Sequence, residues 1–204
     1  MGVGTGHWDS VWQNRHPDQV TWFQSEPTVS LRMIRSVAAP HDSIIDVGGG
    51  ASRLVDRLLA AGYVDVTVLD IAEASMQATR HRLGPSEERV RWIVADVIAV
   101  EFDRVFDVWH DRAAFHFLID AADRARYVAT MSAALRVGGH VVLSTFGPDG
   151  PEQCSGLPVR RYSADTMQET LGAGFELVDH EVEEHIAPNS AVQQFVYGLF
   201  RRVS

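Results

Sequence analysis

Residues 43–54 read SIIDVGGGASRL: a short apolar run passes through an acid into three consecutive glycines and then into a helix-forming segment. The run suits a strand buried on both faces. Glycines after such a strand strip away the side chains that would keep a ligand from the backbone. The segment that follows puts Leu54, Val55, Leu58 and Leu59 on one helical face, and Gly62 offers a C-terminal stop.

Outward from that turn, strand and helix patterns alternate. VDVTVLD predicts a second strand ending at Asp70, and IAEASMQATRHRL a helix stopped by Gly84 and Pro85. RVRWIVAD predicts a third strand ending at Asp96, and RVFDVWH a fourth ending near His110. Asp120 reads as the N-cap of a helix that turns Tyr127, Val128, Met131 and Leu135 inward and stops at Gly138-Gly139. HVVLSTF, a further helix and two final strands complete the chain. No helix fits between those last two strands, so they are expected to pair antiparallel. The expected fold is α/β, a Rossmann-like doubly wound seven-stranded sheet, mostly parallel with an antiparallel last strand, preceded by an N-terminal helical segment. The 204 residues read as a single domain, with a helical cover at 1–40 and a Pro/Gly-rich substrate-side loop at 147–161.

Composition narrows the chemistry. The net charge is −9 and the chain contains no lysine, which excludes lysine Schiff-base chemistry and makes a nucleic-acid backbone a poor partner. One cysteine, Cys154, excludes an intrachain disulfide and a cysteine-based zinc cluster, and no histidine spacing suggests a metal. The start, MGVGTG, has neither the charged nor the apolar part of a secretion signal, and no run is apolar enough to span a bilayer. A cytoplasmic protein with no membrane partner is expected; oligomeric state is not legible.

In a doubly wound sheet the ligand lies beyond the carboxyl ends of the strands. A dinucleotide-binding turn wants G-x-G-x-x-G, but Arg53 stands where the third glycine belongs, and Asp46 would repel a pyrophosphate. Asp46 suits an ammonium. Asp70, 20 residues after Gly50, has the spacing of an acid that binds ribose hydroxyls. Asp96 is placed to accept from the amine of adenine. S-adenosylmethionine carries those three parts and no phosphate. Each acid also has a plainer reading, as a turn residue or, for Asp46, a helix cap.

Five stretches in register, DVGGGAS at 46–52, VTVLDIAEASM at 66–76, VADV at 94–97, FDVWHDR at 106–112 and LRVGGHVVLSTF at 135–146, resemble the class I S-adenosylmethionine-dependent methyltransferases. HWDSVW followed by VTWF is similar to the branch of elongation-factor and citrate-synthase lysine methyltransferases and, more loosely, to thiopurine methyltransferases. The resemblance implies S-adenosyl-L-methionine as cofactor, held by Asp46, Gly48, Gly50, Asp70, Ile71, Asp96 and Val97. It also implies that Trp8, Trp12 and Trp22 cover the cofactor and that Arg112 lies beside it. On spacing alone the tryptophans read as packing residues.

WHDRAAFHFL departs from that branch, so a protein-lysine acceptor is not carried over. The leading expectation is methyl transfer to a small molecule. A protein lysine, an NAD-dependent oxidoreductase and a non-catalytic cofactor-binding module are the alternatives. His110 and Asp111 are the catalytic candidates, His110 facing the acceptor as base or positioning donor. His116, Arg160 and Arg161 are the substrate-side candidates, the arginines as clamps for an acidic acceptor.

Overall fold

The computed structural model describes residues 5–14 and 16–204. Residues 1–4 of the expected cover, the reading of the MGVG start, and Arg15 lie outside the described residues.

The opening stretch forms strand β1, Ser43–Val47, buried along its whole length. Its alternate residues feed two cores: Ile44 packs with Leu54, Val55 and Leu58 on one face, while Ile45 and Val47 pack with Trp109, Tyr127 and Met131 on the other. Such two-sided burial is why the strand carries no polar alternation. Helix α3 (Leu54–Ala60) leads to β2 (Asp65–Asp70), α4 (Glu73–Leu83) to β3 (Val90–Val94), and then come β4 (Phe106–Arg112), α5 (Ala121–Ala134) and β5 (Leu135–Phe146). A two-residue hairpin, β6 (Gln153–Cys154) with β7 (Leu157–Pro158), precedes α6 (Ala164–Leu171), β8 (Phe175–Ile186) and β9 (Val192–Arg202). The main sheet has seven strands in the order β3-β2-β1-β4-β5-β9-β8. β9 runs antiparallel to both of its neighbours, so the last strand is the reversed one, inserted between β5 and the edge strand β8.

The α5–β5 junction differs from expectation. Asp120 does cap α5, its carboxylate accepting from Ala122 N at 2.7 Å. The helix, however, ends at Ala134 rather than at the glycine pair. Leu135 is fully buried and pairs with Phe106, so tertiary packing claims it for the strand. Gly138 (φ 79) and Gly139 lie where the β4–β5 register shifts, and a Cβ on Gly139 would sit 2.9 Å from Asp107 O. The two glycines make a strand irregularity, not a helix stop.

The cover comprises α1 (Thr5–Asn14), a single 3-10 turn and α2 (Thr28–Val37), which buries Val29, Met33 and Ile34. Polar bonds tie it to the far end of the sheet. Trp22 O accepts from Arg112 Nη1 at 2.7 Å, Thr21 O accepts from His185 Nε2 at 2.8 Å, and Gln24 Nε2 donates to Glu183 at 2.9 Å. Arg32 pairs with Glu181. Glu181 and Glu183 on β8 therefore anchor the cover. Among the described residues no helix is long and apolar enough to cross a membrane.

Candidate active site

Parallel register brings the site together. Asp46 and Val47 on β1 lie opposite His110 and Asp111 on β4, and opposite Val68 and Leu69 on β2. The carboxyl ends of β1, β2, β3 and β4 thus converge beneath the cover, at the point where the strand order reverses.

The glycine turn is locked onto the second strand. Gly48 N donates to Leu69 O at 2.7 Å, and Gly50 N donates to Asp70 Oδ2 at 3.0 Å. Asp70 Oδ1 accepts from Ala72 N at 2.9 Å. Gly48 has φ 69, a conformation that favours glycine, and a Cβ there would come 2.8 Å from the Ala114 Cβ. The close approach is therefore between the glycine turn and the turn after β4. Burial pushes the Asp70 carboxyl up to about 6, against the pull of these hydrogen bonds.

Two adjoining clefts open here, and both have Trp12, Trp22, Gly48 and Arg112 in their walls. The first, about 870 Å³, has Asp70, Ile71, Asp96 and Val97 along one side and Trp8, Trp12 and Trp22 along the other. Trp22 stands edge-on to Trp8 (6.2 Å, 88°) and to Trp12 (6.1 Å, 85°), and Trp8 stands edge-on to Phe117 (5.0 Å, 77°). The second cleft, about 570 Å³, has Asp46, Gly48, Gly49, Ser30 and His110 in its wall. Gly50 lines neither cleft; it acts through Asp70.

Arg112 divides the two clefts. Its Nε donates to Tyr197 OH at 2.8 Å, its Nη1 holds the Trp22 carbonyl, and its guanidinium lies 4.1 Å over the Phe195 ring. Nη2 is buried without a hydrogen-bond partner, 3.9 Å from Glu183. Glu183 accepts in turn from Tyr197 OH at 3.0 Å. One arginine thus ties the Trp22 segment of the cover to Tyr197 on β9.

Both catalytic candidates need correction. His110 is 2% exposed, and both of its ring nitrogens are occupied, Nδ1 by Asp46 Oδ1 at 2.7 Å and Nε2 by Ser30 Oγ at 2.8 Å. It has no nitrogen left for an acceptor molecule. Asp111 is completely buried and lines neither cleft; its carboxylate accepts from Ala114 N (2.9 Å), Phe115 N (3.1 Å) and Tyr127 OH (2.7 Å). It shapes the turn after β4, where Ala113 is held at φ 70, a costly conformation for a residue with a Cβ.

The substrate-side candidates are corrected too. His116 is fully buried and its Nδ1 accepts from Phe146 N at 3.4 Å. Burial pulls its pKa down to about 3, so it is held neutral. Arg160 is exposed and stacks on Tyr162 at 5.2 Å, and Arg161 is bound to Gly150 O and Glu152 of its own loop. Neither arginine lines a cleft. The 147–161 segment reaches the first cleft through Cys154, which burial makes a poor thiolate by raising its pKa to about 12.

Residues the sequence reading missed include Phe117, Leu118 and Cys154, which close the far wall of the first cleft, and Ser30, which reaches the second from α2. HFL after the fourth strand was the available signal for the first two. Ser30 had none, because helical spacing does not say what a small polar residue on a buried face will meet.

His116 sets one pH dependence. Unfolded, it binds a proton below about pH 6.5; folded, it resists protonation down to about 3. Between those values the unfolded chain holds more protons, so this group's contribution to stability is lost as pH falls through that window. Thermal melts from pH 7 to pH 4 should fall more steeply for the wild type than for His116→Phe. Parallel curves would count against a buried neutral imidazole.

The site thus combines a doubly wound sheet with a reversed last strand, a glycine turn facing an acid at the end of β2, and a cleft with a second acid after β3 in its wall. Residues 44–139 match the family described as a methyltransferase domain. The fold of the chain is that of solved S-adenosylmethionine-dependent methyltransferases. The eEF1A lysine and N-terminal methyltransferase of Mus musculus is 22% identical over 140 residues, covering 65% of this chain. The chain spans 20% of that relative's length. The fold also matches the 1,6-didemethyltoxoflavin-N1-methyltransferase of Burkholderia thailandensis, solved with S-adenosylhomocysteine (TM-score 0.72, 22% identity, 98% of this chain and 84% of that one). A third match is the N-methyltransferase NodS of Bradyrhizobium japonicum WM9 in complex with S-adenosyl-L-homocysteine (TM-score 0.69, 16% identity, 87% and 85%).

Proposed function

We propose that this protein transfers a methyl group from S-adenosylmethionine to a small-molecule acceptor, as one domain in which 1–40 is the cover and the 147–161 loop contributes to the acceptor side. The carrying observation is the first cleft: acids along one side, tryptophans along the other, and an apolar end made by Phe117, Leu118 and Cys154.

The residues fit the cofactor. Asp46 Oδ2 is a buried acceptor without a partner, suited to an ammonium. Asp70 and Asp96, both in the wall of the first cleft, would serve as acceptors for the ribose hydroxyls and the adenine amine. The glycine turn offers backbone where side chains would intrude. Bound, S-adenosylmethionine supplies a methyl group on a sulfonium, open to in-line displacement. The faces of Trp8, Trp12 and Trp22 suit a neighbouring cation, and with the cover they exclude water. Arg112 and the cover align the attacking atom. The first cleft contains no histidine, and its two aspartates accept from backbone amides. The acceptor this arrangement suits brings its own lone pair: a neutral amine, a thiolate or a carboxylate.

A protein lysine is the second reading, favoured by the mouse relative's name. Against a nicotinamide cofactor stand the unpaired Asp46 oxygen and Arg53, at the N-terminal cap of α3 where the third glycine would lie. A cytoplasmic location belongs to this proposal, supported by the single buried cysteine.

S-adenosylmethionine or S-adenosylhomocysteine at a hundredfold excess over Kd should raise the melting midpoint by about 5–10 °C. NAD and NADP should leave it unchanged; a shift with NAD alone would end this reading. Release of S-adenosylhomocysteine, screened over amines, thiols, carboxylic acids, phenols and lysine peptides, then separates a small acceptor from a protein one. No turnover with any class would favour a non-catalytic binding module.

A further inference from the structure

We propose that His110 and Ser30 are positioning residues: they hold the Asp46 carboxylate with one oxygen turned to the second cleft, where it takes the ammonium group of the cofactor. The proposal rests on the cofactor reading of Asp46 given above and assigns the two residues that make that reading work.

The parallel β1–β4 pairing sets Asp46 directly beside His110. Their side chains are 2% and 3% exposed, and Asp46 Oδ1 meets His110 Nδ1 at 2.7 Å. A carboxylate accepts, so Nδ1 carries the hydrogen. Nε2 lies 2.8 Å from the Ser30 hydroxyl and shares a hydrogen bond with it. Ser30 lies on α2, part of the cover, so the relay joins the cover to the glycine turn.

In order, serine, histidine and aspartate repeat the parts of a nucleophilic triad. The distribution of unmet bonding argues against that use. Both Ser30 and Asp46 are buried in the wall of the second cleft, but the Ser30 hydroxyl is bonded to His110 Nε2, whereas Asp46 Oδ2 has no hydrogen-bond partner. The end of the relay that awaits a ligand is therefore an anionic acceptor, and the ligand it suits is a cation that donates hydrogen bonds. Gly49 completes the arrangement: a Cβ there would run into Asp46 Oδ2. Without the imidazole, the carboxylate would be free to turn its open oxygen away from the cleft.

Calorimetry on the full chain with two probes tests this. S-adenosylhomocysteine carries the ammonium; 5′-methylthioadenosine has the same nucleoside without the amino acid. His110→Asn keeps a donor close to the place of Nδ1, and its S-adenosylhomocysteine affinity should stay within about threefold of wild type. His110→Gln moves the donor toward the place of Nε2 and His110→Phe removes it; both should weaken S-adenosylhomocysteine about tenfold or more. All three variants should bind 5′-methylthioadenosine like the wild type. Ser30→Ala should weaken S-adenosylhomocysteine by a smaller factor. A packing role would rank the variants by melting temperature and weaken both probes alike. That pattern, or unchanged S-adenosylhomocysteine affinity in His110→Gln, overturns the proposal. If His110→Phe does not fold, the Asn and Gln pair decides. Asp46→Asn is measured beside them: unchanged S-adenosylhomocysteine affinity there shows that the reading of Asp46 has failed, separately from that of His110.

Discussion

Asp111→Ala should lower the melting midpoint by roughly 10 °C, the largest loss expected from one side chain at the site. The substitution removes the acceptor that serves Ala114 N, Phe115 N and Tyr127 OH in a fully buried place. Each buried donor left unpaired costs about 1–3 kcal/mol, and some recover through relaxation, so a total of about 3–5 kcal/mol is expected. In a chain of this size about 1 kcal/mol moves the midpoint by about 2–4 °C. The released turn carries Ala113 at φ 70 and the Phe117 wall of the cleft, so its loosening should reach the site as well. Asp111→Asn separates structure from catalysis. Its amide still offers an oxygen to the turn but is no base, and turnover should stay within about tenfold of wild type. A drop of about a hundredfold or more, the scale of a lost general base, would return Asp111 to the chemistry.

Gly50→Ala should weaken S-adenosylhomocysteine about a hundredfold, or about 2.7 kcal/mol. The added Cβ would collide with Ser75 Oγ and with Asp70 Oδ2. Both are buried and bonded, Ser75 to Ala72 O at 2.7 Å and Asp70 to Gly50 N itself. Neither can step aside without turning the Asp70 carboxylate out of the cleft. Thr79, which donates to Gly50 O at 2.6 Å, resists movement of the turn from the other side. Calorimetry on the folded variant checks the figure. Affinity within a few-fold of wild type would mean that Asp70 does not hold the cofactor through this turn.

The cofactor end of the site was legible because it is local in sequence. A strand, a glycine turn and an acid about one βαβ unit later are spaced by the geometry of a single crossover. Asp46, Gly48, Asp70 and Asp96 could therefore be placed together at the strand ends, in the walls of the two clefts, from spacing alone. The acceptor end was not legible. Its walls join Trp8, Trp12 and Trp22 from the cover, Phe117 and Leu118 after β4, and Cys154 from the β6–β7 hairpin, segments far apart along the chain. Nothing near His110 in sequence announces that Ser30 will occupy its Nε2.

The sequence by itself determined the doubly wound sheet, the reversed last strand and the position of the glycine turn, because hydrophobic period, turn chemistry and element length are properties of short segments. Tertiary structure alone decided which polar groups stay free. Asp46 Oδ2 makes no hydrogen bond, while His110, Asp111 and Arg161 are consumed by bonds to the protein itself. Burial and pairing set what a titratable residue has left to offer a ligand, and both depend on neighbours that the fold, not the chain order, supplies.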